Sequence, residues 1–181
     1  VSSTGAQADG QSLLLDLSDD GDSVLFSSSA QNLVPGDTND WLDLFVHRRS
    51  TGATVRVNVD SAGVQADWET AQSGAISADG RYVSFASDAS VLVSGDTNVT
   101  TDVFVHDRFT GVTARVSVDS AGAEGDAMSA FSSISAEGRY VAFQSDATNL
   151  VTPDANGFPD IFVHDRTTGA TTRVSVDTTG G

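Results

Sequence analysis

The residues best suited to chemistry fall into three short stretches: Asp37, Asn39 and Asp43; Asp96, Asn98 and Asp102; Asp154, Asn156 and Asp160. Each follows the pattern D-x-N-x-x-x-D. Side-chain oxygens at the first, third and seventh positions of a tight loop can converge on one point, and a backbone carbonyl between them can complete the oxygen shell that Ca2+ needs. The stretches are similar to half of a calcium loop, written D-x-[DN]-x-[DN]-G with a later acid, but lack an acid at the fifth position. The expectation is a bound Ca2+ that orders the loops. A competing reading has Asp37, Asp96 and Asp154 bonding their own loop backbone as Asx-turns, with Asp43, Asp102 and Asp160 blunting the start of a strand.

Other side chains with chemical potential are His47, His106 and His164 and the loop aromatics Trp41, Trp68 and Phe158. The histidines occupy one position of an internal repeat, on a strand about 10 Å outward from the innermost one at a strand spacing of about 4.8 Å. Copies on successive sheets diverge, so they cannot share one zinc ion. A structural role is expected for them. No G-x-S-x-G elbow is present and no glycine-rich phosphate cradle, and every Ser–His–Asp combination uses residues fixed by the repeat. Trp41, Trp68 and Phe158 break the repeat instead. They are the candidates for contact with a sugar ring or a protein partner.

The repeat that positions these residues is direct. DLFVH at Asp43 returns as DVFVH at Asp102 and DIFVH at Asp160, a step of 59 and then 58 residues, and Arg56, Arg115 and Arg173 keep the same step. Three units result: about 1–58, 59–117 and 118–181. In the second, a segment ending at Ile76 meets an Asp79-Gly80 turn, strand two follows at Tyr82 to Ala86, strand three at Val103 to His106, and strand four at Ala114 to Val118. No amphipathic helix is predicted. Strand three is apolar on both faces, so each sheet must be covered on both sides. An all-β chain of repeated four-stranded antiparallel sheets stacked face to face describes blades of a β-propeller, three per chain.

The segments ISADGRYVSFAS (Ile76 to Ser87) and ISAEGRYVAFQS (Ile134 to Ser145), followed by DVFVHDR or DIFVHDR, resemble the TolB-type, WD-repeat-like propeller family. The resemblance runs through all three units. The first departs from it, with SDDGDSVLFSS in place of the DGRY segment and His47-Arg48-Arg49 in place of His-Asp-Arg, so a role for that Asp does not carry over to unit one.

Composition narrows the partners. All nine basic residues are Arg, acidic residues number 25, and the net charge is −16. Such a surface repels phosphate backbones, which excludes nucleic acid. No apolar run approaches a membrane span. The absence of Cys removes disulfides and thiol chemistry. Three blades are fewer than the four to eight of ordinary propellers. The ring would close by self-association of two chains into six blades, or by the rest of a longer chain. The expected function is a non-enzymatic, calcium-stabilised binding or structural module, secreted or periplasmic. The alternatives are the propeller portion of a secreted enzyme such as a peptidase, and a lectin-like carbohydrate-binding module.

Overall fold

The computed structural model describes residues 1–68, 70–154 and 156–177; the last four residues of the third unit lie outside them. Twelve strands form three four-stranded antiparallel sheets, and no residue described is helical. The first sheet holds β1 (Ser12–Leu17), β2 (Ser23–Ser28), β3 (Asp43–Arg48) and β4 (Ala53–Arg56) in that order. The second holds β5 (Thr70–Ile76), β6 (Tyr82–Ser87), β7 (Asp102–Asp107) and β8 (Val112–Arg115). The third holds β9 (Ser129–Ile134), β10 (Tyr140–Ser145), β11 (Asp160–Asp165) and β12 (Ala170–Arg173). The innermost strands of neighbouring sheets pack on each other, β1 on β5 and β5 on β9.

Register repeats along with sequence. Phe26 is paired with Phe45, Phe85 with Phe104 and Phe143 with Phe162. Their ring centroids lie 5.7, 5.8 and 5.9 Å apart. Cross-strand aromatic pairs of this kind set register as well as burying area. Phe45, Phe85, Phe104, Phe143 and Phe162 are fully buried, and Leu25, Val46, Val83 and Leu92 fill the space between the first two sheets. In the middle sheet β7 is buried at all six positions, as a strand covered on both faces must be.

Strand four falls earlier than its composition predicts, ending at Arg115 rather than Val118. The cause is a side chain. Ser117 Oγ accepts the Val103 amide at 3.1 Å, and Asn58 Oδ1 accepts the equivalent Leu44 amide at 3.0 Å, so a side chain replaces the backbone ladder there. The Asp79-Gly80 turn closes through Gly80 N to Ser77 O at 2.8 Å, with Gly80 at φ +71°. Glycine adopts that left-handed conformation without a Cβ penalty.

Each outer strand is covered by chain that precedes its own sheet. Ser3, Ser61 and Ser120 accept the amides of Thr54, Thr113 and Thr171. The hydroxyls of those threonines donate to the carbonyls of Val1, Val59 and Val118. These straps occupy backbone groups that would otherwise template pairing with another chain.

Candidate functional site

The carboxylates of D-x-N-x-x-x-D do converge, and the group they converge on is an arginine. Asp43 lies at the start of β3, and Arg56 at the end of β4 is brought beside it by the hairpin register that pairs Phe45 with Arg56. Arg56 Nη1 is 2.8 Å from Asp43 Oδ2 and 3.6 Å from Asp37 Oδ1. In the second sheet Arg115 Nη1 is 2.8 Å from Asp102 and 3.5 Å from Asp96. In the third, Arg173 is 3.2 Å from both Asp154 and Asp160. Loop carbonyls take further guanidinium protons: Gly36 O and Gly95 O at 3.1 Å, and Val151 O at 2.7 Å.

The second oxygen of each strand-start carboxylate is also taken. Asn58 Nδ2 donates to Asp43 Oδ1 at 2.6 Å, Ser117 Oγ to Asp102 Oδ1 at 2.6 Å, and Ser175 Oγ to Asp160 Oδ1 at 2.7 Å. Gln65 and Glu124 add a further acceptor to Arg56 and Arg115. Burial pushes the Asp43 carboxyl up, against the pull of Asn58 and the Arg56 guanidinium. Burial likewise raises Asp96, with the neighbouring charge of Asp102 adding to it. For Arg115 the cost of burial is outweighed by Asp102, and its pKa is raised.

The asparagines of the pattern do not turn their oxygens to the same point. Asn39 Oδ1 accepts Trp41 N, Asn98 Oδ1 accepts Thr100 N and Asn156 Oδ1 accepts Phe158 N, each two residues on. These are Asx-turns, made by the asparagine rather than by Asp37, Asp96 or Asp154. The Asn98 and Asn156 amides donate to Asp102 and Asp160, at 3.2 and 3.4 Å, and the Asn39 amide to Ala66 O. A donor nitrogen and a guanidinium at the centre are the wrong chemistry for a cation cage, so the nine residues do not fit Ca2+ as an oxygen shell. Asp96, Asp102 and Glu124 form the acidic group of nearest metal-ligand spacing among the described residues. Arg115 pairs with all three.

The histidines are held alike. His47, His106 and His164 place Nδ1 2.9, 2.8 and 2.9 Å from the hydroxyls of Thr54, Thr113 and Thr171. Each hydroxyl already gives its one proton to a strap carbonyl, so Nδ1 carries the imidazole proton and donates. Burial lowers the pKa of all three.

The three loop aromatics separate into a pair and a single ring. Trp41, in the loop between β2 and β3, meets Trp68, just before β5, with centroids 5.2 Å apart and planes tilted by 32°. Both remain exposed, at 38% and 53%. Phe158 occupies the position of Trp41 in the third unit, away from that pair, and is 74% exposed. Beside Trp68 opens a groove of about 500 Å3 lined by Asp67, Asp88, Ser90, Val99, Thr100 and Thr101.

Sequence reading missed Arg56, Arg115 and Arg173 as the centre of the loops, and Asn58, Ser117, Gln65 and Glu124 as their support. Their signal was positional: each arginine keeps the repeat step of the aspartates it serves.

No protein-family model and no curated protein sequence matches the chain. Solved structures do. A protein assigned as TolB from Agrobacterium tumefaciens superposes with a TM-score of 0.55 at 16% identity, over 90% of this chain and 48% of that one. TolB from Acinetobacter baumannii gives 0.52 at 18%, over 93% and 33%. The fold is that of a TolB-type β-propeller. The tricorn protease superposes on this chain with a TM-score of 0.59 at 10% identity, over 94% of this chain and 18% of its own. The chain thus spans less than half the length of each. Identities this low carry the fold and nothing of activity.

Proposed function

We propose that this TolB-type propeller segment is a non-enzymatic binding module whose contact surface is the loop end bearing Trp41 and Trp68. The observation that carries the reading is the exposed indole pair beside a groove of mixed apolar and polar lining. Indole faces stack on the apolar faces of sugar rings, and Asp67, Asp88, Ser90 and the threonines offer the hydrogen-bond groups that hydroxyls need. A glycan is the ligand class those groups suit best. Support for a non-enzymatic role comes from the repeat: the ionisable groups at Asp43, Asp102, His106 and their copies recur in register with satisfied partners, where catalysis needs an asymmetric cluster.

Affinity electrophoresis through immobilised polysaccharides tests this. Trp68→Ala and Trp41→Ala should each release a retarded band. Retardation unchanged in both variants, or absent from the intact chain across neutral and acidic glycans, overturns it.

In the same proposal the loops are ordered by Arg56, Arg115 and Arg173 instead of Ca2+. Millimolar Ca2+ should then leave the melting temperature unchanged; a rise that chelator reverses would restore the metal reading. Self-association is proposed through the exposed outer flanks, where Leu13, Leu14 and Leu17 of the first sheet and Phe131, Tyr140 and Ile161 of the third face solvent. Sedimentation at one chain mass up to high concentration would refute it. A secreted or periplasmic setting belongs to this reading, supported by the likeness to TolB.

A further inference from the structure

Ser23, Tyr82 and Tyr140 occupy one repeat position, the first residue of the second strand in each sheet. Where the second sheet meets the third, the Tyr82 ring lies against Gly138 so closely that a Cβ on that glycine would come within 2.0 Å of it. The Arg166 guanidinium sits over the same ring, 4.4 Å from its centroid. Where the first sheet meets the second, Ser23 lies against Gly80 in the same way and Arg108 takes the place of Arg166. The ring has no counterpart there. A cavity of about 300 Å3 opens in its stead, lined by Asp22, Ser23, Gly80, Arg108 and, at its rim, Phe109.

Arg108 is left without the platform its copy enjoys. Its Nη1 donates to Ser23 Oγ at 3.3 Å and to Gly80 O, while Nε has no hydrogen-bond partner. None of the ion pairs among the described residues includes it, although Arg48 pairs with Asp22 and Arg81 with Asp107 nearby. Burial lowers its pKa. A partly desolvated guanidinium of this kind gains from an aromatic face beneath it. The formal charges of the lining cancel, with Arg48, Arg81 and Arg108 set against Asp20, Asp22 and Asp79, so the cavity has no net charge to draw in an anion and suits a neutral ring beside its carboxylates. These can accept the proton of a phenolic hydroxyl. Phe109, 84% exposed, adds an aromatic edge that the equivalent Ser50 and Thr167 lack.

We propose that the cavity between the first and second sheets binds a phenol ring, seated against Ser23 and Gly80 beneath the Arg108 guanidinium. The ligand takes the place of the tyrosine that the other two units supply from within. The ring could belong to a free phenol or to a tyrosine side chain of a peptide; its chemistry is the same. The site lies at the β1–β2, β5–β6 and β7–β8 turns, the opposite end of the sheets from Trp41 and Trp68, and so stands independently of the glycan reading.

The test is titration of the full chain with p-cresol and with N-acetyl-tyrosinamide, followed by the backbone amide resonances of Gly80, Arg108 and Phe109. Both probes should move these signals, and tighter binding of the tyrosinamide would identify a peptide side chain as the source. Ser23→Tyr fills the cavity from inside and should weaken p-cresol binding about tenfold or more while leaving a folded spectrum. Arg108→Ala should weaken it by a similar factor, which keeps the test decisive should Ser23→Tyr not fold. The proposal is overturned if p-cresol leaves the three signals unmoved, if a folded variant of either kind binds as the parent does, or if acetate shifts them as readily as p-cresol.

Discussion

Asp22 and Arg48 form the same cross-strand ion pair as Arg81 with Asp107 and Arg139 with Asp165, but with the charges exchanged between strands. Arg48 Nε lies 2.8 Å from Asp22 Oδ2, where Arg81 Nη2 lies 2.7 Å from Asp107 and Arg139 Nη2 lies 2.6 Å from Asp165. The departures of unit one from the DGRY and His-Asp-Arg pattern therefore compensate each other. Asp22→Arg alone should set two guanidiniums together, and Arg48→Asp alone two carboxylates. Each should lower the melting temperature, and the double exchange should recover it. A double variant no more stable than the worse single one would show that the pair is not a unit.

Arg115 is the larger lever. Removing it leaves the buried Asp102, together with Asp96 and Glu124, without the positive charge they surround. Arg115→Met should cost about 3–5 kcal/mol in urea unfolding, the scale of an uncompensated buried charge. Adding Asp102→Asn should return a substantial part of that loss, since the charge itself is then gone. A loss below about 1 kcal/mol would place this cluster with ordinary surface ion pairs.

Acid should weaken the protein before the lowered carboxylates of Asp22, Asp107 and Asp165 titrate, with Asp43 and Asp96, raised by burial, offsetting part of the loss. The buried imidazoles of His106 and His164 bind protons less readily in the folded chain than in the unfolded one. Their contribution to stability is complete above the unfolded value near about pH 6.5 and is lost as pH falls from there toward the folded values. Further down, Asp22 is held at about 2 by Arg48 and Ser50, and Asp107 and Asp165 well below the usual range by Arg81 and Arg139. Their contribution is present above about pH 4 and disappears below it. Stability measured against pH should fall in two stages, and His106→Gln should shrink the first. A flat profile between pH 7 and 5 would contradict the assignment.

Two glycines with the same backbone conformation separate strain from crowding. Gly138 and Gly169 have φ of +73° and +76°. A Cβ at Gly169 meets nothing within 4 Å, whereas one at Gly138 would strike the base of the Tyr82 ring. Gly169→Ala should cost only the left-handed strain of roughly 1–2 kcal/mol. Gly138→Ala should cost clearly more, and equal losses would mean that the sheet junction yields freely.

What the sequence made legible was whatever is local or copied. The 59- and 58-residue steps, the Asp-Gly turns and the alternation through Phe104 were enough for three four-stranded sheets, because strand period and turn chemistry act over a few residues. Asp43 and Asp37 do point to a common centre, but Arg56 reaches it only through the β3–β4 register, thirteen residues along, and nothing in D-x-N-x-x-x-D announces a guanidinium there. Trp41 and Trp68 stood out by breaking the repeat, while their stacking depends on how one sheet lies on the next. The Ser23 cavity was illegible for the same reason: it belongs to a junction between units.

The straps from Ser3, Ser61 and Ser120 bear on how such a chain grows by duplication. Ser61 bonds Thr113, 52 residues later, so each copied unit begins with the piece that seals its own outermost strand. A newly duplicated unit arrives with its edge protection built in. Lengthening the array adds buried junctions without adding an open hydrogen-bonding edge, which lets copy number change without each step exposing the protein to aggregation.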